Sequence, residues 1–87
     1  MTDQPEKTVV ERSRDMISQL KQMRHDAETN IKKLTELWLV LEDELQQKEY
    51  AGRVKELSSH QNALHGAIES LISDYEMECN RMESEAS

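Results

Sequence analysis

The side chains able to do chemistry are three histidines (His25, His60 and His65), one cysteine (Cys79) and a large set of acids. Metal binding is the first chemistry to weigh. Glu56 with His60, and His65 with Glu69, stand four residues apart, so on a helix each pair could offer two ligands from one face. Di-iron bundles use Glu-x-x-His with further glutamates at core positions, and neither pair has that spacing. His60 and His65 are five apart, which places them on different faces of a helix. Surface His–carboxylate pairing is the expectation for both. Cys79 lies among Glu76 and Glu78, a setting that suits neither a nucleophilic nor a redox thiol. Glycine-rich phosphate loops, paired cysteine ligands, the HExxH helix and the nucleophile elbow are absent from the sequence. The reading is therefore a non-enzyme with no catalytic residue, no cofactor and no metal site.

Nucleic-acid binding is disfavoured in the same way. The densest basic residues, Arg12, Arg14, Lys21, Arg24, Lys32 and Lys33, are interleaved with Glu11, Asp15, Asp26 and Glu28. That is mixed-sign helix surface rather than a basic stripe, and the net charge of −7 points the same way. The charge is uneven. Residues 1–35 balance at +1, residues 36–56 at −3 and residues 57–87 at −5. Folding the acidic second half onto the first would relieve like-charge repulsion, which favours a hairpin. An acidic surface for a basic partner would have the same composition.

The elements that carry these residues are helical. The chain has 87 residues, 36% apolar and 33% charged, with two Gly, one Pro and no Phe. This composition excludes disulfide-framework and collagen-like classes and argues against a β-sandwich or barrel. The sequence contains no run of the ~20 apolar residues that a membrane span needs, nor a basic-then-apolar leader. With a single cysteine no internal disulfide can form. An intracellular protein, cytoplasmic and without a membrane span, is expected.

Residues 1–7 read as a flexible tail, and Thr8 with Glu11 fits a capping box that starts a helix. Ile17, Leu20, Ala27, Ile31, Leu34, Trp38, Leu41 and Leu45 follow at alternating steps of three and four, with Arg24 in the remaining slot. Val54, Leu57, Leu64, Ile68, Leu71 and Tyr75 repeat the rhythm, with Gln61 in the polar slot. Each series is an a/d seam of coiled-coil type. They are out of phase by two residues, and simple stutters insert three or four, so a reversal is expected within the polar stretch 46–53, which contains Gly52. Ser58-Ser59-His60-Gln61-Asn62, a run of poor helix formers, is the competing break. The predicted fold is all-α: an antiparallel hairpin with helices over about 8–46 and 53–82, and a second flexible tail at 83–87.

A turn centred between residues 48 and 49 makes facing residue numbers sum to about 97. Trp38 then lies opposite Ser59, near Ala63 and Gly66, and the free end gathers Met16 and Met23 against Met77 and Met82. Met-rich surfaces are adaptable binding faces. The run Leu37-Trp38-Leu39-Val40-Leu41 spans more than a full helical turn, so one partner helix cannot cover it. Leaving such side chains wet forfeits about 1.5–3 kcal/mol each. Association is inferred: a homodimeric four-helix bundle, or a hetero-oligomer built on a partner's helical surface. The expected interface comprises Met16, Met23, Ile31, Leu34, Leu37, Trp38, Leu39, Val40, Leu41, Leu45, Leu64, Ile68, Leu71, Tyr75 and Met77, with Trp38 as hot spot.

Two function classes follow. The first is a non-catalytic interaction subunit, a coiled-coil adaptor or assembly component of a larger complex. The second is a small acidic chaperone or co-chaperone for a helical client. In size, acidity and layout the chain is similar to the two-helix co-chaperones of bacterial type III secretion systems. It equally resembles small coiled-coil subunits of kinetochore or vesicle-tethering complexes. Both likenesses are of pattern and carry over no residues. A third possibility is an acidic inhibitor occupying a basic groove.

Overall fold

The computed structural model describes residues 8–86; the tail expected at 1–7 lies outside them. Helix α1 spans Val9–Leu39 and continues as one π-helical turn over Val40–Glu44. After a reversal at residues 45–47, helix α2 runs over Lys48–Ala86. The helices pack antiparallel along their lengths into a slab of 61 × 28 × 13 Å, with no strand among the described residues. The molecule is an all-α helical hairpin.

Thr8 caps α1: its Oγ1 accepts from the Glu11 backbone N–H at 3.1 Å. Its hydroxyl also donates to the Glu11 carboxylate at 3.3 Å, so the two side chains of the expected box meet at the start of the helix.

The reversal is tighter and earlier than the stretch 46–53. Glu42, Asp43 and Glu44 set three negative charges against the negative end of the α1 dipole, and no basic residue occupies the last turn. There the helix widens: Leu45 N–H reaches Val40 O at 2.9 Å and Gln47 N–H reaches Leu41 O at 2.8 Å. Between them Gln46 is left-handed at φ 52°, which costs a non-glycine residue on the order of 1 kcal/mol and accomplishes the turn without Gly. Gln47 O then accepts from Ala51 N–H at 3.0 Å, opening α2. Glu49, in the first turn of α2, sits where the dipole favours an acid.

Gly52, expected in the turn, is therefore helical and exposed with open space around it. The competing break at 58–62 does not occur either. Ser59 Oγ and Asn62 Nδ2 donate back to the carbonyls of Lys55 and Ser58, at 3.4 and 3.0 Å, and the helix passes through. Helix α2 continues to Ala86, past the end at 82 expected for it, and Ser87 of the second expected tail lies outside the described residues.

The seam of α1 runs through Ser13, Ile17, Leu20, Arg24, Ala27, Ile31, Leu34, Trp38 and Leu41, all buried or half-buried. Leu45, expected as its last member, is exposed because the chain has already begun to turn. In α2 the seam is Ala51, Val54, Ser58, Gln61, His65, Ile68, Ile72, Tyr75, Cys79 and Met82. Val54, Gln61, Ile68 and Tyr75 agree with the periodicity. Leu57, Leu64 and Leu71 do not: they are exposed, and Ser58, His65 and Ile72 take their places.

Ile17, Ile68, Ile72 and Cys79 form the buried cluster, with Leu20, Tyr75 and Met82 packed against it. The core thus lies toward the open end of the hairpin, where Cys79 serves as a small apolar filler. Tyr75 donates to Ser13 Oγ at 2.8 Å, satisfying two polar groups within this packing.

Candidate interaction surface

The heptad geometry divides the hairpin into a seam and two flanks. One flank is charged. Arg14 pairs with Glu83 at 2.8 Å and donates to Asn80 at 2.9 Å, and Lys21 pairs with Glu76 at 3.2 Å. Arg24 approaches Glu69 at 3.8 Å, and His65 Nε2 lies 3.0 Å from Glu28 and 4.0 Å from Glu69. Most of these pairs match an α1 cation with an α2 acid, which is how the uneven charge of the chain is used. The Glu83 hydrogen bond raises the pKa of Arg14 above its ordinary value. The His65 hydrogen bond holds Glu28 below the usual carboxylate range. Near the end of α2, Arg81 bridges Glu78 and Glu85, and its hydrogen bond lowers the Glu78 pKa.

The opposite flank is apolar. In an α-helix each residue advances about 100°, so residues one step before the first seam positions fall on the side away from the ion pairs. In α1 these are Met16, Met23 and Leu37, with Asn30 between them; in α2 they are Tyr50, Leu57, Leu64 and Leu71. The seven large side chains are each 46–53% exposed. The reversal centres on Gln46, so seam positions at one level have numbers summing to about 92 rather than 97. The charged flank pairs at 97, as in Arg14–Glu83 and Lys21–Glu76. The apolar flank accordingly pairs near 87, placing Met16 level with Leu71, Met23 with Leu64, Asn30 with Leu57 and Leu37 with Tyr50.

Several expected positions move with this register. Trp38 is half-buried in the seam and lines a shallow cleft with Leu34, Thr35, Lys55 and Ser58. Ser59, Ala63 and Gly66, expected around the indole, are exposed on other faces. Small Ser58 supplies the room instead. The methionine cluster does not form either: Met82 packs on the core, while Met16, Met23 and Met77 are exposed. Among the remaining expected interface residues, Ile31, Leu34 and Leu41 are half-buried in the intramolecular seam, as is Tyr75, and Ile68 is buried there. Leu39 and Val40 are exposed near the turn, beside Leu37. Leu57 and Tyr50 were absent from the expected set. The signal for both is the seven-residue spacing 50, 57, 64, 71, from which the expected seam takes Leu57, Leu64 and Leu71 and the expected turn takes Tyr50.

Among the described residues no group of three or more His, Cys, Asp or Glu converges in a way that could hold a metal ion. His65 is drawn to Glu28 of the other helix as well as to Glu69, making a polar layer in the seam. No helix among the described residues is long and apolar enough to cross a membrane.

No protein-family model, no curated protein and no solved structure matches the chain. What the fold and surface define is a class: a small, elongated two-helix module with a helical surface suited to protein contacts.

Proposed function

We propose that this chain is a non-catalytic assembly component, a helical hairpin that joins other helices through its apolar flank. The observation that carries this reading is the row of seven half-exposed Met, Leu and Tyr side chains at heptad spacing, opposite the flank of ion pairs. A helix whose apolar residues occupy two positions per heptad serves a two-stranded seam. One with a third apolar position beside them has the wider stripe of a bundle. Both helices here have the wider stripe, and the hairpin covers only the seam. The ion pairs supply register within the hairpin and leave the other flank to the partner.

The acidic-inhibitor alternative draws less support, because Glu69, Glu76 and Glu83 face the cations of α1 and Glu28 faces the His65 imidazole within the molecule. The test is a photo-crosslinking residue at position 64 on the flank, or at position 63 on the outer face, with the protein expressed in its own cells. The expected result is a discrete higher-mass adduct from 64 and none from 63. No adduct from either position, or equal adducts from both, would refute the assembly role.

A further inference from the structure

We infer that the occupant of the apolar flank is a second copy of this chain, so that two hairpins close into a four-helix bundle. The inference rests on the assembly role and specifies its partner. Three observations converge on it. The first is area. Seven half-exposed large side chains leave on the order of 650 Å² of one molecule wet. Covering them on two copies buries about 1,300 Å², within the range of stable protein–protein interfaces.

The second is charge. A copy carries the same net charge of −7, so two copies can meet only where neither is strongly acidic. The flank meets that condition. Between Met16 and Leu37, and between Tyr50 and Leu71, its own positions hold no charge. Its outer rim alternates Arg12, Lys33 and Arg53 with Asp26 and Asp74. The excess acid lies elsewhere, along the ion-paired flank, the turn and the end of α2. A strongly basic partner would seek those regions and gain little from this one.

The third is pattern. Each helix presents one apolar row on the flank, Met16 to Leu37 and Tyr50 to Leu71, and the two rows run side by side on the same face for about three heptads, ending before Glu78. A hairpin with two such rows supplies half of a four-helix core, and a copy supplies the other half.

The experiment is light scattering coupled to size exclusion on the full chain, over about 1–200 µM. The expected mass is twice the 10.2 kDa of one chain, unchanged between low and high salt because the contact is apolar. Leu57→Lys with Leu64→Lys should weaken the dimer by a hundredfold or more, on the order of a hot-spot loss, with the helical circular dichroism retained. Thr29→Lys with Ser70→Lys, on the outer face, should leave the mass doubled. If the flank pair loses helicity, Leu64→Gln alone reads the same contact. A wild-type chain monomeric at every concentration overturns the inference, as does a dimer that the flank variants leave intact. If the chain is monomeric alone but gives an adduct through position 64 in cells, the copy is excluded while the assembly role stands. If it is monomeric and gives no adduct, both fall.

Discussion

Leu71 and Ile72 are neighbours in sequence and similar in size, yet the structure gives them opposite roles. Ile72 is 3% exposed in the core cluster, and Leu71 is 50% exposed on the flank. Ile72→Ala removes a side chain packed among Ile17, Ile68 and Cys79. A core truncation of this kind costs about 2–5 kcal/mol, and a two-helix seam with thin cover falls toward the lower end. For Leu71→Ala, a half-exposed Leu has only about half of a 1.5–3 kcal/mol burial term to lose. The slightly better helix propensity of Ala returns a little of that. The net cost is about 0.5–1 kcal/mol, so the two variants should differ by roughly 1 kcal/mol or more. The assay is urea unfolding followed by far-ultraviolet circular dichroism, at a dilution where the midpoint no longer depends on protein concentration. In a dimerisation assay the order should reverse, with Leu71→Ala the more damaging relative to its cost in folding. If Leu71→Ala costs as much as Ile72→Ala in the monomer, α2 is rotated the other way and the apolar flank does not exist.

Two further outcomes follow from particular positions. Gly52→Ala and Gly66→Ala each place a methyl group in open space on an uninterrupted helix. Each should stabilise by about 0.5–1 kcal/mol, raising the thermal midpoint by about 4–8 °C per kcal/mol. A loss at Gly52 would instead mean that the chain reverses there. Glu28 and Glu78 are held below their ordinary range by His65 and Arg81 respectively. Their contribution is thus complete above the unfolded-state value near 4.3. It is lost as pH falls through that value toward the folded ones, because the unfolded chain binds the protons first. Thermal midpoints between pH 7 and 3 should decline only in the acid range, and less steeply in Glu28→Gln. A decline of equal steepness in that variant would remove Glu28 from the account.

The perturbations separate two levels of information. The sequence alone made a helical hairpin legible, because the apolar series of its two halves are out of phase across a polar stretch. This holds even though only Val54, Gln61, Ile68 and Tyr75 of the second series lie in the seam. The sequence also determined the inward face of α1, where Ile17, Leu20, Ile31, Leu34, Trp38 and Leu41 form a stripe with large apolar residues at both seam positions of every heptad but the one holding Arg24 and Ala27. The Thr8 cap and the charge asymmetry were equally local, since each depends on residues a few positions apart or on simple counts.

Tertiary structure decided the rotation of α2 and the site of the turn. Helix α2 carries Val54, Gln61, Ile68 and Tyr75 with a choice of companions: Leu57, Leu64 and Leu71 on one side, or Ser58, His65 and Ile72 on the other. Hydropathy favours the leucines. The two choices differ by a helix rotation of about 50° at 100° per residue. The fold takes the less apolar one, with Ala51, Ser58 and Cys79 providing small seam positions. That rotation also aligns Glu69, Glu76 and Glu83 with the cations of α1, and His65 with Glu28. None of those pairings is visible within α2 by itself. The turn was hidden for a related reason: it forms without glycine, where three acids oppose the end of a helix dipole and Gln46 accepts a left-handed backbone. Periodicity counts apolar side chains along one helix, whereas the buried face is chosen by what the opposing helix offers, and here it offered charge on one side only.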